Sequence, residues 1–496
     1  MLLSDIYRQI LAFPGPTRPL PRVVAGLEIG RVTADSRKVR PGDLFVAVPG
    51  VFVDGRDFIP DAVRNGAVAV LAPNGTHWPP EVPPRVMLTD PEPRRMLALI
   101  AAVLAGVRPE TVVAVTGTNG KTSTVEFLRQ LWTLDGHRAA SIGTLGLIAP
   151  GYEPGPGLTT PDPVSLAEIL SSLARHGVQR VAMEASSHGL DQHRLDGVRL
   201  AAAGFTNLTR DHLDYHVTMA AYRAAKLRLA GGLLPPRSPF VAHSDMDPAT
   251  LEALRAIGIA RRLAFHTVGL VGTLFRLIEA VPRTDGQDLT VEMPGDAGRT
   301  RQSVRLNLPG RFQADNVLVA AGLAHVLGLD SVLDLVPRLT GVRGRMELAA
   351  RLPNGAAAYV DYAHTPDALE RLLTALRPHT AGRLHIVFGA GGDRDRGKRP
   401  MMGEAVARLA DRIIVTDDNP RGEVAQAIRA AVLSGCPGAR EIGDRARAIE
   451  AGLNGLGPGD VLVVAGKGHE QGQTIGGVVH PFDDVSVIRG LVGVLS

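Results

Sequence analysis

The chain has 496 residues, of which 45% are hydrophobic, 21% charged and 4% aromatic. This length exceeds the roughly 250 to 300 residues at which a single hydrophobic core stops growing, so we expect two or three domains, and the composition excludes a disordered chain. The 54 basic and 50 acidic residues leave a net charge of only +4, which argues against a nucleic-acid-binding protein, because such proteins carry clustered positive charge.

Cysteine content and apolar segments indicate the cellular compartment. The single cysteine, Cys436, cannot form an intramolecular disulfide, which favours a reducing environment. Ser4, Asp5 and Arg8 interrupt the apolar residues at the start of the chain, unlike a signal peptide. The longest helix-like apolar run, residues 97–107, is shorter than the roughly 20 residues of a membrane span. We therefore expect a cytoplasmic protein without a membrane span.

Short β-branched segments alternate with longer amphipathic segments along the whole chain, which predicts parallel sheets covered by helices. The predicted strands include residues 112–116, 178–184, 385–388, 412–416 and 461–465. Segments rich in glycine, proline or arginine mark two boundaries. They divide the chain into predicted domains at residues 1–90, 91–340 and 341–496.

A glycine-rich loop, GTNGKT at residues 117–122, lies between a predicted strand and a predicted helix over residues 123–134. Backbone N–H groups in such a loop converge on phosphate oxygens at the positive end of the helix. Lys121 can reach the terminal phosphates, and Thr122 can ligate Mg²⁺. The common phosphate loop would have glycine at Val115, so this shorter form indicates a narrower set of ATP-binding enzymes.

Two further segments, residues 184–194 and 207–216, follow apolar segments and combine acidic residues with histidines. They are expected at the carboxyl ends of strands, where doubly wound sheets bind ligands. Glu184 and His212 are therefore candidate Mg²⁺ ligands, although imidazole is not the ligand that Mg²⁺ prefers. His188, His193 and His216 are expected to be hydrogen-bonding or surface groups.

Lysine is rare in this chain, and its five positions are Lys38, Lys121, Lys226, Lys398 and Lys467. A sequence that otherwise uses arginine can retain lysine where a deprotonatable amine is needed. Lys226 lies in the helical segment YRAAKLRLA, and its amine, if neutral near a metal, could react with CO₂ to form an anionic carbamate. The residues alone favour a solvated helix lysine.

Ten motifs occur in one order between about residues 35 and 484, namely GTNGKT, EASSHGL, DHLDYH, YRAAK, GRFQADN, GRME, DYAHTPDAL, GAGGDRDRGKRP, DDNPR and AGKGHE. In these motifs the chain resembles the Mur ligases, and within that family the members that add a diamino acid to a UDP-linked muramyl dipeptide. The resemblance implies three α/β domains: an N-terminal UDP-sugar-binding domain, a central phosphate-loop ATPase domain and a C-terminal Rossmann-like domain.

The resemblance also implies roles for individual residues. The catalytic residues would be Lys121, Glu184, His212 and Lys226. ATP would be bound by Gly117, Thr118, Asn119, Gly120, Lys121, Thr122, Ser123, Asn316, Arg345, Asp361 and His364. The muramyl substrate would contact Ser36, Thr159, Thr160, Ser186, Gln192 and Arg194. The amino acid would contact Arg394, Asp418, Asn419, Pro420, Arg421, Gly466 and Glu470. Metal ligands would be Thr122, Glu184, His212 and Lys226, with Lys226 as N6-carboxylysine, which reverses the interpretation from the residues alone.

The implied reaction is ATP-dependent ligation of meso-diaminopimelate to UDP-N-acetylmuramoyl-L-alanyl-D-glutamate through an acyl phosphate, in cytoplasmic synthesis of peptidoglycan precursors. The implied cofactors are ATP, two Mg²⁺ ions and the carbamate that CO₂ forms on Lys226. We expect a monomer that binds these two small-molecule substrates and neither nucleic acid nor membrane.

The identity of the added amino acid depends on DNPR at residues 418–421, which accompanies diaminopimelate in similar enzymes. Arg421 offers a planar fork for the distal carboxylate that lysine lacks. The segment after Arg421 is a few residues shorter than usual, which leaves L-lysine and L-ornithine open. Gln313 and Arg56 replace the more common Asn and His, and we expect these changes to preserve activity.

Three other classes of protein are alternatives. An alanyl-alanine-adding ligase and a folylpolyglutamate synthetase share the phosphate loop, but neither is expected to combine DNPR with AGKGHE. A phosphate-loop switch or a nucleic-acid-binding NTPase would bind nucleotide without needing a muramyl peptide.

Overall fold

The structure is a computed structural model that describes residues 1–14, 24–50, 53–152, 159–283, 285–295, 298–393 and 395–495. The chain divides into two compact units, Met1–Arg276 with Leu318–Val332, and Leu277–Val317 with Leu333–Ser496. Within the described ranges, every helix is too short or too polar to cross a lipid bilayer.

The first unit begins with a four-stranded parallel sheet in the order β1-β2-β3-β4. Apolar residues on both faces of this sheet pack against helices, and strands β2 and β3 are wholly buried. The elements are α1 (Leu3–Ile10), β1 (Val32–Thr33), β2 (Leu44–Val46), α2 (Ile59–Arg64), β3 (Ala69–Ala72), β4 (Val86–Thr89) and α3 (Pro93–Ala105), with short 3₁₀ turns at Ser36–Lys38 and Gly55–Phe58.

A larger sheet follows in the same unit. Its elements are β5 (Thr111–Thr116), α4 (Lys121–Leu134), β6 (Ala139–Gly143), β7 (Gly146–Ile148), α5 (Pro163–Arg175), β8 (Arg180–Glu184), α6 (Ser187–Asp191), β9 (Ala202–Phe205), α7 (Leu213–His216), α8 (Met219–Arg228), β10 (Pro239–His243), α9 (Pro248–Arg261) and β11 (Ala264–Gly269). Within this part of the chain the strand order is β11-β10-β9-β5-β8-β6-β7, and all of these pairs are parallel except β6 with β7.

The position of β5 in this order explains where ligands can bind. Because β5 pairs with β8 on one side and β9 on the other, the chain crosses to both sides of it and leaves a crevice at the carboxyl ends of the three strands. The loop after β5, the last residue of β8 and the residues after β9 therefore meet at one edge of the sheet.

The second unit contains β12 (Phe275–Arg283), which starts in the first unit, and the antiparallel pair β13 (Gly286–Gly295) and β14 (Gly298–Leu306). Helix α10 (Arg311–Val326) likewise contributes its first turns to this unit. The short elements that follow are α11 (Val332–Leu335) and a 3₁₀ turn at Val336–Arg338.

A six-stranded sheet forms the rest of the second unit, in the order β15-β16-β20-β17-β18-β19. Only the pair β15–β16 is antiparallel. The elements are β15 (Glu347–Arg351), β16 (Ala357–Asp361), α12 (Pro366–Leu376), a 3₁₀ turn at Arg377–His379, β17 (Leu384–Phe388), α13 (Lys398–Leu409), β18 (Arg412–Val415), α14 (Ala425–Leu433), β19 (Arg440–Glu441), α15 (Arg445–Asn454), β20 (Val461–Ala465), the hairpin β21 (Gly472–Ile475) and β22 (Val478–Pro481), and α16 (Asp484–Leu495).

Apolar side chains cover both faces of this sheet, as expected when helices connect parallel strands. The carboxyl ends of β16, β20, β17 and β18 lie side by side, so Asp361, Gly466 and the residues after Phe388 and Val415 share one edge. The predicted α/β class with parallel sheets is confirmed. The boundaries proposed near residues 90 and 340 stay predictions.

Candidate active site

The phosphate loop lies between β5 and α4, as the sequence predicts. Gly117 has φ +145°, and a Cβ there would lie 1.9 Å from Oγ1 of Thr206. Gly120 has φ +85° and directly precedes α4. The backbone N–H of Asn119 donates to Oδ1 of Asn207 at 2.9 Å. Both glycines are therefore required by geometry, and residues after β9 hold the loop in shape.

Two lysines meet on one carbonyl oxygen of this loop. The Nζ of Lys121 donates to the carbonyl of Gly117 at 3.0 Å and to that of Thr118 at 2.9 Å. The Nζ of Lys226 donates to the same Gly117 oxygen at 2.7 Å, although Lys226 and Gly117 are 109 residues apart in the sequence. The structure thus brings two predicted catalytic residues together at the phosphate loop.

Lys226 is buried, with 1% of its surface exposed, so the interpretation of a solvated helix lysine is wrong. Its Nζ lies 4.7 Å from the centre of the Tyr222 ring, and the Tyr222 hydroxyl lies 3.1 Å from Oγ1 of Thr118. Burial, and then the charge of Lys121, lower the pKa of the Lys226 amine well below its ordinary value. The amine is therefore favoured in its neutral, nucleophilic form.

Glu184, the last residue of β8, carries a buried carboxylate that binds the loop from the other side. Its Oε1 accepts from the Thr122 hydroxyl at 2.9 Å and from the backbone N–H of Thr144 at 2.7 Å. The Thr144 hydroxyl lies 3.3 Å from Oε2. Thr122 and Glu184 therefore place a hydroxyl and a carboxylate side by side, an all-oxygen donor set of the kind that Mg²⁺ prefers.

Gly143→Ala is expected to lower the free energy of unfolding by about 1 to 3 kcal/mol, the usual cost of overpacking. The new Cβ would lie 2.1 Å from Oε1 of Glu184, so the carboxylate would have to move away from Thr122. Thermal unfolding and ATP turnover measure the two effects. The control Gly26→Ala, whose Cβ would meet nothing within 4 Å, should change neither. An unchanged unfolding midpoint in Gly143→Ala would contradict the observed packing.

His212 lies at the start of α7 with φ +52°, and its ring belongs to an aromatic cluster. The ring centres of His188 and His212 are 4.9 Å apart, and those of His212 and Tyr222 are 6.1 Å apart. Burial lowers the pKa of His212 and is only partly opposed by Asp211, so the neutral imidazole is favoured. Tyr222 connects this cluster to Lys226.

The three other histidines of these segments differ in their surroundings. His216 is buried and packs in the same cluster, 5.5 Å from His188, so His216 is not a surface group, which was one of the two expectations. His193 is a hydrogen-bonding group, as expected, with its Nδ1 3.2 Å from Oδ2 of Asp196.

Residues predicted to hold the muramyl substrate surround the end of β8. The Thr160 hydroxyl donates to the carbonyl of Glu184 at 2.9 Å and accepts from the backbone N–H of Ser186 at 3.0 Å. Arg194 donates to the carbonyl of Thr160 at 2.7 Å and to Oε1 of Gln192 at 2.7 Å.

Two further residues predicted to contact the muramyl substrate lie in the same unit. The Thr159 hydroxyl lies 3.1 Å from that of Thr144. Ser36 lies near the start of the first unit, in the 3₁₀ turn Ser36–Lys38. Its carbonyl oxygen accepts from the side-chain amide of Asn65 at 2.9 Å.

In the second unit, the DNPR segment follows β18 and is held by hydrogen bonds. Arg421, with φ +53°, exchanges backbone hydrogen bonds with Thr474 and Gly476 at 3.0 and 2.8 Å. Its Nη1 donates to the carbonyl of Gly392 at 2.7 Å. Gly466, with φ +116°, follows β20, and a Cβ there would lie 2.5 Å from Oδ2 of Asp418. The DNPR segment is therefore held by contacts on two sides.

An acidic residue two positions after Arg421 adds to this support. Glu423 accepts from the backbone N–H of Asp393 at 2.7 Å and from both terminal nitrogens of Arg399, at 2.8 and 3.1 Å. The hydrogen bonds from Arg399 are the main cause that lowers the pKa of Glu423 to about 2. The carboxylate stays ionised across the physiological range, so this support does not depend on pH there.

A second group of predicted residues lies where β16 ends. The carboxylate of Asp361 accepts from the backbone N–H groups of Met346 and Ala363 at 2.7 and 2.8 Å, and burial raises its pKa. The Arg345 guanidinium lies 4.4 Å from the centre of the Tyr362 ring, and the ring centres of Tyr362 and His364 are 4.7 Å apart. Asn316 is buried in α10, and Arg394 lies outside the described residues.

Comparisons with known proteins agree with this arrangement. Family models match three successive parts of the chain: Mur ligase family, catalytic domain, at residues 28–104; Mur ligase middle domain at 115–324; and Mur ligase, glutamate ligase domain, at 344–468. A UDP-N-acetylmuramoyl-L-alanyl-D-glutamate–2,6-diaminopimelate ligase of Caulobacter vibrioides is 52% identical over 99% of both chains. The chain belongs to the Mur ligase family.

Solved structures of Mur ligases extend this comparison. A structure of a UDP-N-acetylmuramoyl-L-alanyl-D-glutamate–2,6-diaminopimelate ligase is 32% identical, with a TM-score of 0.72, over 100% of this chain and 99% of that one. The MurF ligase of Thermotoga maritima, solved in complex with ADP, is 19% identical with a TM-score of 0.61, over 94% and 98%, and shows the shared fold alone. The three-domain α/β architecture expected of a Mur ligase is thereby confirmed.

Several residues of this Mur ligase site were missed by sequence reasoning. Thr144, Thr206 and Tyr222 contact the predicted residues directly. Thr144 and Thr206 lie outside the ten motifs, whereas Tyr222 is the first residue of YRAAK but was not assigned a role. Lys467 offered a signal that was not used, because it is one of only five lysines and lies in the AGKGHE motif. Its side chain is completely buried beside Asn419 and Glu470.

Proposed function

We propose that this Mur ligase joins meso-diaminopimelate to UDP-N-acetylmuramoyl-L-alanyl-D-glutamate and converts ATP to ADP and phosphate. The observation that carries the reaction type is the pair of lysines on the Gly117 carbonyl, opposite a Glu184 carboxylate bound to Thr122. The identity of the substrates is supported by full-length similarity to ligases of that name.

The residues of the phosphate loop fit Mg²⁺ and a carbamate. The donors Thr122, Glu184 and His212 would hold Mg²⁺ together with Lys226 after its neutral amine bonds to the carbon of CO₂ and loses a proton. Mg²⁺ so bound would neutralise charge on the phosphate oxygens. The lowered pKa of the buried Lys226 amine supports this assignment, because only the unprotonated form can attack CO₂.

The reaction is proposed to proceed in two displacements. The D-glutamyl carboxylate attacks the γ-phosphorus of ATP, ADP leaves, and an acyl phosphate remains. The diaminopimelate amine then attacks the acyl carbon, phosphate leaves, and the amine loses a proton to give the amide. Lys121 offsets the negative charge that develops on phosphoryl oxygens, and backbone N–H groups of the glycine loop orient them.

The remaining predicted contacts form part of the same proposal. Thr159, Thr160, Ser186, Gln192, Arg194 and Ser36 are assigned to the muramyl substrate. The residues assigned to ATP in the second unit are Asn316, Arg345, Asp361 and His364. The amino acid is assigned to Arg394, Asp418, Asn419, Pro420, Arg421, Gly466 and Glu470. The enzyme is proposed to act as a monomer. Its proposed location is the cytoplasm, a reducing compartment that suits a chain with a single free cysteine.

The ligase assignment predicts that ADP is released only when both co-substrates are present, because the acyl phosphate must form and then be captured by an amine. Coupled ADP detection and mass spectrometry of the muramyl product measure turnover with each substrate omitted in turn. Equal ADP release without the muramyl dipeptide would instead identify a nucleotide switch or a simple NTPase.

A further inference from the structure

Lys467 is completely buried at the amino-acid centre proposed above, and every hydrogen-bond donor of its amine is used. Its Nζ donates to Oδ1 of Asn419 at 3.2 Å, to Oε2 of Glu470 at 3.3 Å and to the carbonyl of Gly472 at 2.5 Å. An ammonium group has three N–H donors, so these three acceptors match its full capacity. The amine therefore has one defined position.

These contacts determine how two predicted ligands of the amino acid are oriented. The Asn419 amide also donates to Oε2 of Glu470 at 2.9 Å, and its Oδ1 accepts from the backbone N–H of Thr474 at 2.9 Å. The backbone N–H of Glu470 donates to the carbonyl of Lys467 at 3.0 Å. Asn419, Lys467 and Glu470 thus form a closed network.

The network leaves one atom of Glu470 available. Oε2 accepts from both Asn419 and Lys467, whereas within the described ranges no hydrogen bond is formed to Oε1. The Glu470 side chain is 35% exposed, while that of Lys467 is 0% exposed. A carboxylate held by one oxygen and open at the other is suited to receive an ammonium group, because its direction is fixed before the ligand arrives.

We propose that Lys467 is a positioning residue for the amino-acid substrate: it holds Asn419 and Glu470 so that Oε1 of Glu470 accepts from an ammonium group of the incoming diamino acid. This inference rests on the proposed function. Lys467 itself makes no contact with substrate and acts through the direction and charge of Glu470, as outer groups do when they orient the ligands of a metal.

The inference predicts a selective effect on one Michaelis constant. In Lys467→Met, KM for diaminopimelate should rise about 10- to 100-fold, the usual loss when an orienting partner is removed. The KM values for ATP and the muramyl dipeptide should stay within about twofold of the starting enzyme. In Lys467→Arg, which keeps a cation, KM for diaminopimelate should lie between the value of the starting enzyme and that of Lys467→Met.

A double-mutant cycle separates positioning from general support of the fold. If Lys467 acts through Glu470, then Glu470→Gln and Lys467→Met should each raise KM for diaminopimelate, and the double variant should be no worse than the poorer single one. The matched control Arg440→Met removes an exposed cation from the same sheet and should leave all three KM values unchanged. Steady-state kinetics with each substrate varied in turn provide the data.

Two outcomes would overturn the inference. One is an unchanged KM for diaminopimelate in Lys467→Met. The other is a parallel rise of all three KM values with additive effects in the cycle, which would mean that Lys467 only supports the fold. If Lys467→Met does not fold, Lys467→Gln retains a donor for Gly472 without the cation and answers the same question. Failure of the starting enzyme to ligate diaminopimelate would refute the proposed function instead, before any variant is compared.

Discussion

Lys226→Ala is expected to reduce ligation by at least about 100- to 1000-fold, the loss seen when one preorganised group is removed from a charge-stabilising site. Its amine donates to the same Gly117 oxygen as Lys121, and burial lowers its pKa well below the ordinary value. Removing it would take away both a loop contact and the group assigned to carry the carbamate. ADP release under saturating substrates measures the loss.

Three comparisons identify why activity is lost. Lys226→Glu restores a carboxylate near the same place and should keep a trace of activity, whereas Lys226→Met should not. ¹³C-labelled bicarbonate should produce a carbamate NMR signal in the starting enzyme that is absent from both variants. The control Lys38→Ala changes an exposed lysine and should be fully active. A folded Lys226→Ala protein with full activity would contradict the assignment of the carbamate to Lys226.

The strands were predictable because they are short, β-branched and bounded by turn residues. The predicted segment 461–465 coincides with β20 (Val461–Ala465), and the predicted segment 385–388 differs from β17 (Leu384–Phe388) by one residue. The phosphate loop was predictable for the same local reason, since its glycines lie directly between a strand and a helix. The local sequence pattern was therefore sufficient to predict these strands and the sheet edge that carries the phosphate loop.

The environment of Lys226 was not predictable from local pattern. Helix α8 has a mixed polar and apolar sequence, and a lysine near its last turn normally points to solvent. Its burial results from contact with Gly117 and Tyr222, the first of which lies 109 residues away. Resemblance to a family implied a role for Lys226 at the phosphate loop, and that role stays a prediction. The motif carries information about a long-range contact that helical periodicity does not.

The contacts that link Thr144 to Glu184 and Lys467 to Asn419 were also beyond sequence reasoning, although Lys467 lies only three residues before Glu470. Thr144 binds Glu184 across 40 residues, and Lys467 binds Asn419 across 48. Such partners have no required spacing from the residues they orient, since the sheet topology alone brings them together. They can be found only after the order of the strands is known.

Arg421→Ala is expected to lower kcat/KM for meso-diaminopimelate about 30- to 5000-fold. This factor corresponds to about 2 to 5 kcal/mol, the cost of removing one partner from a desolvated charge pair. The half-buried guanidinium uses Nη1 on the carbonyl of Gly392, and within the described ranges its Nε and Nη2 form no hydrogen bond. These two N–H groups can receive the distal carboxylate side by side. Parallel assays with meso-diaminopimelate and L-lysine provide the comparison.

The ratio of the two rates, rather than either rate alone, decides between the candidate amino acids. L-Lysine has no distal carboxylate, so its slow reaction should change little in Arg421→Ala, and the preference for diaminopimelate should collapse. Glu423→Gln, which weakens the pair with Arg399, should shift the ratio in the same direction by a smaller factor, because Arg421 then loses support two residues away. If both rates fell together in Arg421→Ala, the arginine would not read the distal carboxylate, and L-lysine or L-ornithine would again be a candidate substrate.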